Sequence, residues 1–152
     1  MSLQDDVKTL LVASASLVAV FTGGIAVYDE LGAVGISRQL TPNITSGTTG
    51  KIQPFIVIRE RSQTATQAIR DPVTQVQSYQ QSVEITLYAD KTAGYSALET
   101  GAGTIYALLQ GARVASMGRL YKQSETRMDR DRAIDNACIM QTVYGGVGVQ
   151  HL

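Results

Sequence analysis

The fold is decided by residues 77–113, which read QSYQQSVEITLYADKTAGYSALETGAGTIYALLQGAR. In the first half apolar and polar side chains alternate, so that Val83, Ile85 and Leu87 share one face of a predicted strand. After a break at residues 90–92 the apolar spacing becomes that of a helix, predicted over residues 94–113, whose stripe holds Leu98, Ala102, Ile105, Leu109 and Ala112. A strand that leads directly into an amphipathic helix predicts one sheet layer covered by one helix layer.

The N-terminal part of the chain predicts a second apolar helix. Ser2 is a suitable N-cap with Asp5 three residues later, and the helix ends at Gly23 and Gly24. Near residues 14–16 the pattern fits either a continuous helix or a break.

Further strands are predicted at residues 25–31, 55–61, 119–127 and 137–143, and residues 62–73 resemble an exposed connection or a hairpin arm. Residues 55–58 are all apolar, which predicts a strand covered on both faces. Because most strands follow one another without an intervening helix, we expect antiparallel pairing. The predicted fold is α+β, a mainly antiparallel or mixed sheet of about four to five strands with two main helices packed on it.

We expect a single domain over residues 1–152, because a chain of this length can bury a substantial core. Residues 32–53 are rich in glycine, serine and threonine, and this composition predicts a long flexible loop. Loops of this length in small domains are usually functional or mobile. Gly145 and Gly146 follow the last predicted strand, so a flexible C-terminal tail is expected over residues 145–152.

Charge and residue types exclude several function classes. The 13 basic and 13 acidic side chains cancel, so the chain lacks the excess positive charge that general DNA binding needs. One histidine, His151, and one cysteine, Cys138, are too few for a zinc site or a fixed catalytic triad. The lone cysteine also predicts a reducing compartment and a small, buried, apolar role for Cys138. Residues 10–21 are apolar but too short to span a bilayer. We therefore predict no enzyme, no cofactor, no metal and no membrane association.

Several residues are candidates for contacts with other molecules. Gly103 lies off the apolar stripe, where either plain tolerance or a subunit contact accounts for a glycine. A run of alternating charge predicts either a solvated loop or a self-complementary interface between copies of the chain. This run comprises Arg127, Asp129, Arg130, Asp131 and Arg132. Basic residues near the predicted strand ends suit transient contact with passing DNA, namely Arg59, Arg61, Arg119 and Lys122.

Several segments together form a recognisable pattern. The N-terminal helix ends in Gly23-Gly24 and is followed by the segment IAVY at 25–28. Later segments are PFIVI at 54–58, VEITLY at 83–88 and IYALL at 105–109, and the last strand ends in Tyr144. Over most of its length the chain resembles the tail terminator, or tail completion, proteins of long-tailed bacteriophages.

This resemblance implies a structural virion protein. Such proteins form a hexameric ring at the head-proximal end of the tail tube, stop tube polymerisation and join the tail to neck or head-completion proteins, while DNA passes through the lumen. The likeness thus implies a homo-oligomer that contacts the tube protein, is made in the host cytoplasm and resides in the virion. One alternative is another phage connector, which would be a head-closure protein, an adaptor or a tube subunit. Other classes are a small cytoplasmic enzyme or ligand-binding domain and a DNA-binding regulator.

Overall fold

The structure, a computed structural model, describes residues 2–27, 53–61, 64–71, 76–114, 118–128 and 137–151. Within these ranges the helices are α1 (Leu3–Val12), α2 (Ala15–Val20) and α3 (Ser96–Leu109). The strands are β1 (Ile25–Val27), β2 (Phe55–Glu60), β3 (Thr64–Asp71), β4 (Val76–Asp90), β5 (Arg113–Val114), β6 (Gly118–Arg119), β7 (Tyr121–Met128) and β8 (Ala137–His151).

The main sheet has the strand order β1-β2-β4-β8-β7, and β3 also pairs with β4. β1 runs parallel to β2, and the other pairs are antiparallel. The prediction of an α+β fold with a mixed, mainly antiparallel sheet is therefore confirmed. Residues 62–73 were expected to be a connection or a hairpin arm, and β3 within them is such an arm. β5 and β6 form a separate two-stranded sheet that the sequence did not predict.

The N-terminal helix begins as predicted but is interrupted. The Asp5 backbone N–H donates to Ser2 Oγ at 3.4 Å, and the Ser2 hydroxyl donates to Asp5 Oδ2 at 2.6 Å. Ser14 then starts α2, because its Oγ accepts the Leu17 N–H at 3.4 Å. A serine side chain that satisfies a free backbone donor favours a new helix start over continuation.

The core lies between the helices and one face of the sheet. Val83, Ile85 and Leu87 of β4 are all 0% exposed and belong to one cluster with the stripe of α3. The buried members of that stripe are Leu98, Ala102, Ile105 and Leu109. The predicted packing of this strand against this helix is confirmed, although α3 ends at Leu109 and does not reach residue 113.

Gly101 allows α3 to approach its neighbours closely. A Cβ at this position would lie 2.5 Å from Cε2 of Phe21 and 3.2 Å from Cδ2 of Leu87. Real Cβ atoms do not come this close to ring carbons, so only glycine fits without movement of Phe21. Gly101 therefore lets α3 lie close to both Phe21 and the sheet, with Phe21 as the tighter contact.

The opposite face of the sheet is also apolar. Phe55 and Val57 alternate with Ile56 and Ile58, and all four are at most 4% exposed. The prediction that this strand is covered on both faces is confirmed. Phe55 stacks on its directly paired neighbour Tyr88, with ring centroids 4.4 Å apart.

The last strand is longer than the sequence predicted. β8 pairs with β4 along the whole length of both strands, from Ala137 opposite Asp90 to His151 opposite Val76. The prediction of a flexible tail from residue 145 is thus wrong for residues 145–151, because their backbone groups join the ladder. Close packing requires a glycine at position 145, since a Cβ there would lie 2.7 Å from the backbone oxygen of Gln81.

Two predicted features fall outside the described residues. All but the last residue of the expected loop at residues 32–53 lies there, as do Asp129, Arg130, Asp131 and Arg132. In the part of the chain that is described, the helices are too short and too polar for any of them to cross a bilayer.

Candidate interaction surface

β7 is an exposed edge of the sheet. It is last in the strand order and pairs with β8 on one side only, within the described part of the chain. Tyr121 is 49% exposed, and residues 123–127 are exposed as well. The backbone N–H of Lys122 donates to Oε1 of Gln110 at 2.8 Å, so the accessible edge begins after it. Such an edge offers backbone donors and acceptors to a segment of another chain.

A groove separates β7 from α3, and we refer to it as the α3–β7 groove. Its volume is about 380 Å³, and it is lined by Glu99, Ala102, Gly103, Tyr106, Lys122, Glu125, Arg127 and Met140. The α3 residues come from the side of the helix next to its buried stripe. The β7 residues face the helix because the register shifts between Lys122 and Ser124, which returns Glu125 to the same face as Lys122.

The charges in the groove are paired. Lys122 Nζ lies 3.2 Å from Oε1 of Glu125, and Arg127 forms an ion pair with Glu99. Lys122 also lies over the ring of Tyr106, 5.7 Å from its centroid. Two acidic and two basic side chains therefore cancel along the groove. Exposed pairs of this kind add little to folding stability, so a partner can exchange them at small cost.

Tyr144, on β8, carries an unsatisfied hydroxyl in the core of the subunit. It is 0% exposed, and its hydroxyl has no hydrogen-bond partner in the described part of the chain. Burial raises its pKa to about 12, and the charge of Glu125 and the phenol of Tyr106 act in the same direction. At neutral pH the phenol is therefore protonated. A buried hydroxyl without a partner destabilises a protein by about 1–3 kcal/mol.

Comparison with known proteins shows a likeness in structure. No protein-family model matches the chain, and no curated protein sequence matches it. Among solved structures, a chain from the "Virion of native gene transfer agent (GTA) particle" matches with a TM-score of 0.61 and 16% sequence identity. The match covers 95% of this chain and 92% of that chain. The chain shares the fold of a virion protein. At this identity the likeness concerns the fold, and no residue role is carried over.

On this fold, two of the predicted interface residues come together. Gly103 and Arg127 both line the α3–β7 groove, one from each side. A Cβ at Gly103 would meet no atom within 4 Å, so space inside the subunit does not require a glycine there. The two explanations of Gly103 given by the sequence, a subunit contact and plain tolerance, both remain compatible with this geometry.

The four basic residues predicted to face DNA do not form one patch. Arg59 and Arg61 lie at the end of β2, whereas Arg119 and Lys122 lie at β6 and β7, with β4 and β8 between the two pairs. Arg61 Nε donates to Oε1 of Glu84 at 2.5 Å. Arg119 Nη1 donates to the backbone oxygen of Gly111 at 2.8 Å, and Lys122 is part of the groove.

Sequence reasoning did not select Tyr106 or Tyr144 as functional candidates. The available signal for Tyr106 was an aromatic side chain on the polar side of an amphipathic helix, where it is 46% exposed. Tyr144 stood at the predicted end of a strand and gave no such signal, because its burial depends on packing between β8 and α3.

The described residues contain no cluster of histidine, cysteine or acidic side chains that could hold a metal ion. Cys138 is buried, as its apolar surroundings in the sequence predicted. This surface presents paired charges, exposed aromatic rings and the backbone groups of an edge strand.

Proposed function

We propose that this protein is a structural subunit of a phage-like virion and that it acts as a tail terminator. In this role it forms a hexameric ring at the head-proximal end of the tail tube. The ring stops tube polymerisation, contacts neck or head-completion proteins and leaves a lumen for DNA. The observation that carries the proposal is the fold match to a chain of a virion particle over 95% of this chain.

The sheet edges support assembly into a ring. A closed ring needs a heterologous contact, in which one surface of a subunit meets a different surface of the next. β7 and β1 lie at opposite edges of the main sheet. A contact between the β7 side of one copy and the β1 side of the next would therefore repeat in the same direction and could close.

The charge balance supports a lumen that DNA crosses without being held. The net charge is +0, and duplex DNA binds tightly only where many phosphates are neutralised. Arg61 is already paired with Glu84, which reduces the positive charge that it can offer to a phosphate.

Native mass spectrometry of the purified protein tests the oligomer, and imaging of antibody-labelled particles tests its position. We expect a discrete hexamer and a label at the junction of tail and head. A protein that remains monomeric at high concentration and in the particle contradicts the proposal. Unlimited stacking would instead favour a tube subunit, and a label above the end of the tube would favour a head-closure or adaptor protein.

The charge run provides a second test of assembly. Reversal of Arg130 and Arg132 to Glu is expected to weaken the hexamer while the subunit stays folded, because alternating charge fixes the register between copies. Circular dichroism verifies folding in the same samples. An unchanged hexamer would return the run to the role of a solvated loop.

A further inference from the structure

Helix α2 carries an exposed apolar surface. Of its residues only Leu17 is buried, while Val18 and Val20 are 48% and 38% exposed. The chain has no charged side chain between Lys8 and Asp29, so this helix and the turns on both sides of it are uncharged. Exposed apolar side chains grouped without charges among them are typical of a surface that another protein covers.

α2 and the α3–β7 groove lie on opposite flanks of α3. Phe21, directly after α2, contacts α3 at Gly101, whereas Gly103 lines the groove. Two residues along a helix turn the side-chain direction by roughly 200°, so Gly103 faces away from the flank that Phe21 occupies. α1 packs on β1 and β2, whereas α3 packs on β4, β8 and β7. The α2 of a subunit therefore does not reach the groove of the same subunit.

The groove suits an uncharged, apolar occupant. Each of its cations, Lys122 and Arg127, is paired with a carboxylate and also lies over a tyrosine ring. A charged ligand would have to compete with these pairs. Ala102, Gly103 and Met140 add small or apolar groups to the lining, and the open space at Gly103 allows the backbone of a partner to come close. An apolar helix can lie against these residues and leave the charged pairs in place.

We propose that α2 of one copy of this chain docks in the α3–β7 groove of the next copy, with Val18 beside Gly103. This contact rests on the proposed ring, since it is the surface that would join neighbouring subunits. The two surfaces differ and lie on opposite flanks, so each copy can use both at once. A contact of this kind repeats in one direction, as closure of a ring requires.

Cross-linking between two singly substituted proteins tests the contact directly. One protein carries Val18→Cys and the other carries Gly103→Cys, where a side chain has open space. After the two are mixed and allowed to exchange subunits, a short bismaleimide is expected to join one copy of each. Val147→Cys replaces Val18→Cys in the matched control, because Val147 is 53% exposed but lies on β8, on the face of the sheet opposite to the helices. Wild-type protein, in which Cys138 is buried, measures the background.

The same variants alone test the direction of the contact. If two different surfaces meet, two copies of Val18 do not face each other, and neither do two copies of Gly103. Each variant alone should therefore run as a monomer in denaturing electrophoresis after treatment. A Val18→Cys protein that cross-links to itself would indicate contact between two α2 helices and would overturn the proposal. Equal reaction of Val18→Cys and Val147→Cys with Gly103→Cys would overturn it as well.

Val18→Asp tests the apolar character of the contact. In the next copy the new carboxylate would lose hydration and lie near Glu99 and Glu125, which line the groove. Each subunit contact is expected to weaken about tenfold or more, measured by native mass spectrometry as a higher concentration at which the hexamer dissociates. The control Val147→Asp should dissociate at the wild-type concentration. Both positions are about half exposed in the single subunit, so both variants should fold, which circular dichroism verifies.

The outcomes separate this inference from the ring. A hexamer that persists in Val18→Asp, without the mixed cross-link, overturns the inference and leaves the ring standing. If Val18→Asp forms hexamers as wild type does but fails to join tails to heads, α2 binds another virion protein, and the inference is also overturned. A wild-type protein that never assembles refutes the ring itself.

Discussion

Replacement of Tyr144 by phenylalanine should change how the stability of the subunit depends on pH. Burial raises the pKa of this phenol from its ordinary value of 10.0 to about 12, with the charge of Glu125 as the second cause. As pH rises above 10, the unfolded chain therefore releases the proton first, and the folded state loses stability until the pH exceeds 12. Since one pKa unit corresponds to roughly 1.4 kcal/mol, the wild type loses about 1 kcal/mol from this group by pH 11 and about 3 kcal/mol once the pH is well above 12.

The Tyr144→Phe variant does not lose this stability at high pH, because it has no phenol at position 144. At pH 8 the Tyr144→Phe subunit is expected to be equal to the wild type or more stable by about 1 kcal/mol, because it no longer buries an unpartnered hydroxyl. The difference in free energy of unfolding between Tyr144→Phe and the wild type should then grow by about 1 kcal/mol between pH 8 and pH 11. The other tyrosines and the lysines titrate in both proteins, so the difference between the two proteins isolates Tyr144.

Urea unfolding followed by circular dichroism at pH 8 and pH 11 measures the effect. The protein concentration must lie below that at which the hexamer forms, because assembly would add its own stability. Tyr121→Phe is the matched control, and its free energy of unfolding should fall with pH as the wild type does. Parallel pH dependence of wild type and Tyr144→Phe would refute the reasoning.

Three further substitutions test the packing of α3 and the groove. Gly101→Ala should destabilise the subunit by about 1–3 kcal/mol, because its Cβ overlaps the Phe21 ring; a thermal melt at or above the wild-type midpoint would contradict this. Gly103→Ala should instead stabilise it by about 1 kcal/mol, because the site is open and alanine favours a helix; a lower melting midpoint would show that the space is not free. Arg127→Glu places a negative charge next to Glu99. It should change the free energy of unfolding measured in urea by less than about 1 kcal/mol, because both side chains are more than half exposed. A larger loss would mean that the ion pair is needed for the stability of the subunit.

Strong periodicity explains which parts of the fold were predictable. The alternation through Val83, Ile85 and Leu87 and the stripe from Leu98 to Leu109 are each long enough to define a period, and each element buries the face that its period defines. β5 and β6 contain two residues each. A period cannot be recognised over two residues, so this small sheet had no sequence signal.

The main wrong prediction, a flexible C-terminal tail, came from two glycines. Gly145 and Gly146 suggested a flexible tail, but in β8 the absence of a side chain at Gly145 lets the strand approach Gln81. The same residue type thus serves flexibility or close packing, and only the neighbouring strand decides which. The parallel pairing of β1 and β2 was unpredictable for a related reason, since it depends on the path of the chain between Val27 and Gln53 and not on either strand alone.

The candidate site was the least predictable part. Glu99 and Arg127 are 28 positions apart in the sequence, and their pairing follows from the packing of β7 beside α3. Gly103 was selected because it is a glycine inside a helix, and Arg127 because it belongs to a run of alternating charge. The environment of Tyr144 is entirely tertiary, so no local pattern could have revealed it.

The pairing of β4 with β8 has a consequence for how this protein can vary in length. Each strand has 15 residues, and the core beneath the helix layer includes Val83, Ile85 and Leu87 of β4. The part of β4 that pairs with β3 lies beyond these core residues along the strand, so a change in its length leaves the contacts of Val83, Ile85 and Leu87 in place. Removal of two residues from each strand would preserve the facing of every side chain and shorten the ladder by roughly 7 Å. Removal of one residue would reverse the facing of all that follow. Natural variants of this ladder should therefore differ by even numbers of residues per strand, so that its reach changes in discrete steps.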